Sequence, residues 1–380
     1  MKLKKIYIQF QSVLILLLMP VLYKADYSYI AFILYMAITA VYLLYMFKTD
    51  SGLNLNIFIY GGLVSAWMAF ELILFDFQGV LRIIQYVCLL LTIIVNSRIK
   101  WDNEDYVFLQ KTARKVIILA VIWIPVSGFQ LSRYAAYYSH SNYLGSMMFH
   151  IGIILALVHY LDKTQKKGRF VLEETVVFFI AAISNSRSAI FALIIFWGLL
   201  FVFKTGKKKH TKQSYKFNAA IFGAIIFAVA VTVIYPRLVN TSLGLSIEMI
   251  SRKYLSKNFF SGRHILWDRI LKLTAESPII GYGLSATPGM YIDTSFSSHN
   301  LWLQIMLQTG ITGLLLFVLF LFAVIKKIKV SRSDKIGIAY ICALIFHECF
   351  EVTLTQNEFS TGIIAWIIFG IMMSKSLSKT

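Results

Sequence analysis

FVLEETVVFFIAAISNSRSAIFALIIFWGLLFVF, residues 170–203, decides the architecture. Two apolar runs, 170–185 and 188–203, flank the polar turn Ser184-Asn185-Ser186-Arg187-Ser188. A bilayer-spanning helix needs roughly 20 mostly apolar residues, and each arm has about 16. The spacing predicts a helical hairpin whose turn lies below the membrane surface. An arginine there is costly in lipid, so Arg187 is expected to face a protein-lined cavity.

The same apolar pattern recurs on both sides of this hairpin. Runs at about 6–23, 27–47, 53–75, 79–97, 115–131 and 142–161 precede it, and runs at about 217–235, 300–325, 336–353 and 360–374 follow. With the two arms they predict an all-α polytopic membrane protein of about 12 transmembrane helices. The domain organisation is then 1–235 with spans one to nine, a loop at 236–299, and 300–380 with the last three spans. Met1-Lys2-Leu3-Lys4-Lys5 before an apolar run is similar to a signal peptide, but no small-residue cleavage site follows. The first run is therefore read as a retained helix. No internal repeat and no low-complexity segment interrupts the series.

Composition agrees. The 380 residues are 58% hydrophobic and 14% charged, against about 25% charged in a soluble chain. The net charge of +19 would suggest nucleic acid in a soluble protein, but here it is an orientation signal and no nucleic-acid partner is expected. Placing the N-terminus in the cytoplasm and alternating puts 26 Lys and Arg inside and 11 outside, seven of the latter in the long loop. The inside segments carry a net +18 and the outside +1. The positive-inside rule then sets both termini in the cytoplasm and loop 236–299 outside. The short basic inner loops are read as orientation signals and lipid contacts. Cys88, Cys342 and Cys349 lie in apolar runs and form neither a metal-binding spacing nor a disulfide framework.

The chemistry is expected on the outer side. In the long loop, apolar positions 266, 267, 270, 271 and 273 predict an amphipathic helix of about three turns, ended by Ser277-Pro278. Pro278-Ile279-Ile280-Gly281-Tyr282-Gly283 reads as a tight turn, since it lacks the third glycine of a dinucleotide fingerprint. Ionisable residues cluster at the outer ends of spans. Arg187 is in the hairpin turn. Arg263 starts the amphipathic helix, where it opposes the macrodipole and needs an anionic partner, Asp268 being one candidate. His299-Asn300 stands where the loop re-enters the membrane. Glu348 and Glu351 lie three apart near the end of span eleven beside His347, and Arg82 is one turn into span four. Two arginines can clamp phosphate oxygens in bidentate fashion, and a histidine can accept a proton. A phosphate-bearing ligand and a proton abstraction fit that set. Asp268, Glu276 and Asp293 are too far apart in sequence to suggest a metal site, so a metal-free mechanism without a cofactor is favoured. Arg82, Asn300, Trp267, Tyr282, Glu348 and Glu351 are candidate supporting residues. His140 and Asn142, before span six, are read as structural.

These motifs in this order resemble the O-antigen ligase/polymerase superfamily, which includes Wzy-type polysaccharide polymerases. The resemblance rests on Ser184–Ser188 with its arginine, Gly262-Arg263 with Trp267, the Pro278–Gly283 turn, and His299-Asn300 opening a helix with Gly310-Ile311-Thr312-Gly313. It covers about 184–325 closely. It implies a membrane glycosyltransferase whose donor is an undecaprenyl-pyrophosphate-linked oligosaccharide. Arg187 and Arg263 would bind the donor pyrophosphate and His299 would take the acceptor proton, with inversion at the anomeric carbon. The implied site is on the outer face of the cytoplasmic membrane, with membrane lipids, a flippase and a chain-length regulator as partners. The Lys-, Ile- and aromatic-rich composition resembles that of a low-GC bacterium without lipopolysaccharide. That favours polymerisation of repeat units into capsular or exopolysaccharide over ligase-type transfer to another acceptor. A lipid-linked oligosaccharide flippase is the alternative of another class, but it would place its polar residues near the midplane.

Overall fold

A computed structural model describes residues 2–49, 55–75, 79–161, 166–204, 210–255, 258–331, 333–355 and 359–374. Of the charged residues used to set orientation, Asp50, Asp76, Asp162, Lys163, Lys207, Lys208, Lys209, Lys257, Arg332, Glu358, Lys375 and Lys379 lie outside them. Among the described residues the regular elements are helices. They are α1 (Lys2–Val13), α2 (Met19–Lys24), α3 (Ser28–Thr49), α4 (Leu55–Leu74), α5 (Val80–Arg98), α6 (Asn103–Val126), α7 (Ser141–Leu161), α8 (Lys167–Ile183), α9 (Arg187–Lys204) and α10 (His210–Leu238). These are followed by α11 (Ser242–Leu255), α12 (Arg263–Glu276), α13 (Leu301–Lys329), α14 (Asp334–Glu348) and α15 (Phe359–Met372). A π-helical stretch, Leu14–Leu18, joins α1 to α2, so the first run is continuous.

Among the described residues each of the twelve apolar runs is helical over most of its length. Seven helical stretches are long and apolar enough to cross a membrane by length and composition: Lys2–Lys24, Ser28–Lys48, Val80–Arg98, Ser141–Leu161, Arg187–Lys204, Ser214–Leu238 and Leu301–Lys329. This is the architecture of a multi-pass membrane protein. Helix α7 is the axis, buried from Leu144 to Val158 and packed on α6, α8, α9 and α15. Helix α14 lies between α9 and α10, and α15 lies against α5, both buried along most of their length. The outer helices instead expose large apolar side chains such as Ile33, Leu44, Ile73, Phe222 and Val229. Apolar surface of this kind suits lipid, not water.

Within such a bundle, polar side chains join helices because no water competes for them. Gln11 Nε2 donates to Asn96 Oδ1 at 3.0 Å and Asn96 Nδ2 donates back to Gln11 Oε1 at 3.1 Å, tying α1 to α5. The Tyr35 hydroxyl adds α3 to this pair. At the expected cytoplasmic end, Lys4 bridges Asp102 and Asp105, each at 2.6 Å.

Of the boundaries that differ from expectation, four have a stated cause or bear on the site. Helix α6 begins at Asn103, not near 115, because Asp102 and Asp105 form a reciprocal capping box. Its charged first turns carry no apolar signal. It also ends at Val126, short of 131, where Gly128 and Phe129 turn to φ 66° and 57°. Helix α10 runs through Leu238, so the long loop starts three residues later than expected. Helix α14 stops at Glu348, five residues before 353. Glu348 there accepts the N–H groups of Thr353 and Leu354 at 3.0 and 3.1 Å and folds the chain back. Glu348 and Glu351 therefore do not share a helix face.

Candidate active site

The loop 239–299 holds two helices, α11 and the expected amphipathic α12. Trp267 anchors α12. It is fully buried, lies with its ring 4.9 Å from the Tyr235 ring at the end of α10 and tilted 48° to it, and donates Nε1–H to the Ser298 carbonyl at 2.7 Å. This bond pins the residue before His299. Asn300 then caps α13, its Oδ1 accepting from Leu303 N at 3.0 Å and its Nδ2 reaching Thr232 on α10 at 3.2 Å. Between these two anchors His299 sits at φ 46°, a left-handed conformation uncommon for a residue with a Cβ. Strain held in place by firm neighbours on both sides is the pattern of a positioned functional group.

The two glycine motifs prove to be partners. Tyr282 N and Gly283 N donate to the carbonyls of Leu307 and Gln308 at 2.8 and 2.9 Å, and Ile311 N donates to Pro278 O at 2.8 Å. Helix α13 breaks at Gly310, φ 59°, to accept this turn. A Cβ at Gly281 would stand 2.6 Å from the Gln308 carbonyl carbon, and one at Gly310 2.4 Å from that of Ile279. Neither distance is tolerable. The Pro278–Gly283 turn and the Gly310 kink thus interlock, and Tyr282 closes the joint by donating to Leu273 O at 3.2 Å and Glu276 at 3.1 Å. Tyr282 fixes α12; it is not in the charged cluster.

That cluster forms where four chain segments meet. Arg187, the first residue of α9, donates Nη2–H to Ser261 Oγ at 2.7 Å and lies 3.4 Å from the Asn258 carbonyl. The hairpin turn approaches α7 closely because residue 145 is glycine: a Cβ there would meet Ser186 Cβ at 2.3 Å. Glu248 of α11 holds the receiving loop by accepting Phe259 N at 2.8 Å. Desolvation raises the Glu248 carboxyl, but Arg252 and the N–H groups of Phe259 and Phe260 outweigh it and hold it below the ordinary carboxylate range. The Tyr235 hydroxyl donates to Phe260 O at 2.8 Å, within electrostatic reach of both Arg187 and Arg263.

Arg263, the first residue of α12, finds its anionic partner in Glu351, Nη2 to Oε1 3.5 Å. Asp268 pairs with Lys272 instead, at 2.8 Å. The other Glu351 oxygen faces His299 Nδ1 at 3.5 Å. Glu351 is 3% exposed, and its Oε1 also accepts from Asn142 Nδ2 at 3.1 Å and Ser188 Oγ at 3.4 Å. One buried carboxylate therefore gathers α7, α9, α12 and the His299 corner. The carboxylate opposite favours the tautomer with the proton on Nδ1, though no hydrogen bond is closed at 3.5 Å, and that tautomer presents Nε2 as the acceptor nitrogen. The two arginines are within electrostatic reach of each other.

The sequence candidates divide accordingly. Arg187, Arg263, His299 and Glu351 come together. Trp267 and Asn300 hold the histidine corner. Glu348 serves the backbone after α14 and bonds His347 Nδ1 at 3.1 Å, while His347 Nε2 meets Ser146 at 3.0 Å. Arg82 is apart from the cluster and donates Nη1–H to Gln85 at 2.9 Å. Sequence reasoning missed Tyr235, Glu248, Ser261 and Ser188, and it read Asn142 as structural. Of these only Ser188, inside the arginine motif, carried a signal. Among the described residues no group of three or more His, Cys, Asp or Glu is placed to hold a metal ion.

With this geometry in hand, known proteins can be compared. Residues 175–318 match the O-antigen ligase family. The match runs from α8 through α13 and so includes Arg187, Arg263 and His299 but not Glu351. A Rickettsia conorii protein carrying the provisional name polysaccharide ligase is 22% identical over 290 residues, 64% of this chain and 68% of its own length. The resemblance to the O-antigen ligase/polymerase superfamily holds. Both names speak for ligase-type glycan transfer, the alternative, rather than for the polymerase expected from composition.

Proposed function

We propose that this chain is a membrane glycosyltransferase that moves a glycan from a lipid-linked pyrophosphate donor to an acceptor hydroxyl by O-antigen-ligase-type chemistry. The observation that carries the reading is Glu351 held 3.5 Å from both Arg263 and His299, with Arg187 beside them. Arg187 and Arg263 neutralise the donor pyrophosphate, which makes it a competent leaving group. His299 Nε2 takes the proton of the acceptor hydroxyl, its oxygen attacks the anomeric carbon, and the bond from that carbon to the pyrophosphate oxygen breaks with inversion. The donor lipid is undecaprenyl. In this reading all twelve helices cross the cytoplasmic membrane, both termini are cytoplasmic, and the cluster faces outside.

A lipid-linked donor has support from an apolar cavity of about 180 Å³ between α10 and α13, lined by Ile225, Val229, Trp302, Met306 and Phe322 among others. Thr232 lines it and also bonds Asn300, next to His299. A lipid tail lying there would bring its headgroup to the cluster.

The test is complementation of a deletion strain with His299→Ala and with Arg263→Ala, followed by gel analysis of surface glycan and of extracted lipid-linked glycan. Ligase-type transfer predicts long lipid-linked glycan that accumulates without reaching its acceptor. Polymerisation predicts accumulation of single lipid-linked repeat units. Normal surface glycan with both variants would sink the catalytic assignment. Arg263→Lys should also impair transfer, because a lysine lacks the bidentate fork.

A further inference from the structure

Glu351 meets Arg263 and His299 at 3.5 Å, too far for either contact to fix it. Its place is set by the turn that carries it, residues 349–355, which follows α14. That turn is built on two buried side chains that the proposed chemistry leaves unused, His347 and Glu348.

Glu348 accepts from the N–H groups of Thr353 and Leu354 at 3.0 and 3.1 Å, from the Thr353 hydroxyl, and from His347 Nδ1 at 3.1 Å. Donors of this number fill the acceptor capacity of an ionised carboxylate. His347 turns Nε2 to Ser146 Oγ on α7 at 3.0 Å, and its ring stacks on Phe149 with centroids 5.5 Å apart. The His347 carbonyl accepts from Glu351 N at 3.1 Å. A residue held on both sides by its side chain thus holds the backbone of Glu351. On the far side of the turn, Trp366 of α15 donates Nε1–H to Leu354 O at 2.9 Å. A Cβ at Gly362 would stand 2.4 Å from Thr353 O, so α15 closes tightly on the turn.

The brace has a ladder behind it. Asn142, Ser146 and His150 follow one another at four-residue spacing on one face of α7. Asn142 donates to Glu351, Ser146 meets His347, and His150 Nδ1 meets the Tyr340 hydroxyl at 3.1 Å. These rungs fix the register of α14 on α7. The first two converge on Glu351, and the Tyr340 rung lies away from the turn.

We infer that His347 and Glu348 are positioning residues for transfer: braced by Ser146, they hold Glu351 where it meets both Arg263 and His299. This rests on the glycan-transfer reading above. Neither residue touches substrate, and the task of Glu348 is to accept the hydrogen bonds of the turn. The Tyr340 rung, equally buried, contributes stability alone.

The experiment uses full-length protein. Transfer is read as the rate at which surface glycan appears after induction in a complemented deletion strain, per unit of protein in the membrane. Binding is read with farnesyl pyrophosphate, a short lipid pyrophosphate, titrated into the protein in phosphatidylcholine nanodiscs. Glu348→Ala should slow transfer about 10–100-fold, the scale of a reacting group misplaced by about 1 Å, and change farnesyl pyrophosphate affinity less than about threefold. Glu348→Gln keeps an amide oxygen for the turn N–H groups and should return transfer to within about threefold of the parent. His347→Phe keeps the stack on Phe149 but drops both side-chain bonds. It should also slow transfer, and it serves as the second variant if Glu348→Ala does not accumulate. Tyr340→Phe should lower the melting temperature by a few degrees and leave transfer within about twofold. Parent-like transfer by Glu348→Ala or His347→Phe would overturn the inference, as would equal slowing by Tyr340→Phe or no rescue by Glu348→Gln. Loss of farnesyl pyrophosphate binding in step with transfer would also overturn it, because the turn would then hold the whole site and not Glu351 in particular. All four results leave the donor and base assignments standing if His299→Ala still abolishes transfer. Normal transfer by His299→Ala, or a parent that does not bind farnesyl pyrophosphate, would overturn the glycan-transfer reading and this inference with it.

Discussion

Replacing Glu351 by Gln should stop glycan transfer while leaving the fold intact. Gln has nearly the same shape, and its amide oxygen can keep the bonds from Asn142 and Ser188. That choice turns the amide nitrogen toward His299 Nδ1, where a carboxylate oxygen stood at 3.5 Å. The N–H now donates to Nδ1, so the imidazole proton moves to Nε2 and the basic nitrogen is no longer free. At 3.5 Å and an effective dielectric of about 20, removing one charge forfeits about 5 kcal/mol of attraction before screening. Arg263 and His299 are 22% and 27% exposed, so solvent reduces this to roughly 2–3 kcal/mol. The lost general base accounts for a further part, and such groups contribute about 10²–10⁴ in rate. The full-length protein in nanodiscs should therefore show kcat lower by about 10²–10⁴ and a melting temperature lowered by several degrees with the fold retained. Donor binding should weaken less than kcat falls, because Arg187 is held by Asn258 and Ser261 independently of Glu351. Glu351→Asp should be intermediate. It keeps the charge but withdraws it from contacts that already need about 0.6 Å of closure to reach hydrogen-bond length. Transfer by Glu351→Gln within twofold of the parent would refute the coupling of Glu351 to His299.

Other perturbations separate holding from chemistry. Gly310→Ala should destabilise the protein by about 3 kcal/mol or more, read as a lowered melting temperature, since its Cβ would meet the Ile279 carbonyl carbon at 2.4 Å. Trp267→Phe keeps the buried ring but removes the 2.7 Å bond to Ser298. It should cost about 1 kcal/mol of stability and lower kcat more than it changes donor binding; an unchanged kcat would show that this bond does not position His299. Glu248 has a pH signature. Its carboxyl is held below the ordinary range by Arg252 and the Phe259 and Phe260 N–H groups, against desolvation. Its stabilisation is therefore fully present above the unfolded value of about 4.3 and is lost as pH falls through the lower folded value. The protein should lose stability on acidification below about pH 4, and Glu248→Gln should flatten that decline in a melting series.

What could be read in the chain follows from how far each interaction reaches. Apolar runs report burial or lipid over a contiguous window, so all twelve helical segments were visible. Helix ends are set by single side chains. The Asp102–Asp105 capping box and the reach of Glu348 back to Thr353 and Leu354 moved boundaries by five to twelve residues with little change in hydropathy. Arg187, Arg263 and His299 were legible because charges at the ends of apolar spans are rare. That Arg263 needed an anion also followed from its helix position, but the choice of Glu351 over Asp268 depends on how α14 ends. Tyr235 closes an apolar run and looks like any other membrane residue. Its hydroxyl acquires meaning only when the 258–261 loop folds against it. The glycine motifs were recognisable singly, whereas their interlocking required both φ values and the distance between them.

The charge balance of the cluster closes the argument. Among the described residues, Glu351 is the carboxylate within ion-pair distance of Arg263 and His299, and Arg187 bonds only a carbonyl and a hydroxyl. Two arginines share Glu351 as the buried carboxylate of the cluster, while Glu248, within electrostatic reach of Arg187, is already paired with Arg252. Neutral partners fix the direction of the Arg187 guanidinium without cancelling its charge, so it is set before any ligand arrives. In the proposed reaction a pyrophosphate would bring the missing negative charge, and more of it would develop as the glycosyl bond breaks. Stabilisation then grows along the reaction and does not saturate on binding, which is the condition for raising kcat. Had each arginine a carboxylate of its own, the cluster would be more stable empty and a poorer catalyst. The same reasoning explains why the net charge of +19 points elsewhere. In the expected topology most of it serves orientation, and the side assigned as outer sums to nearly zero while holding the arginines whose charge is locally unbalanced.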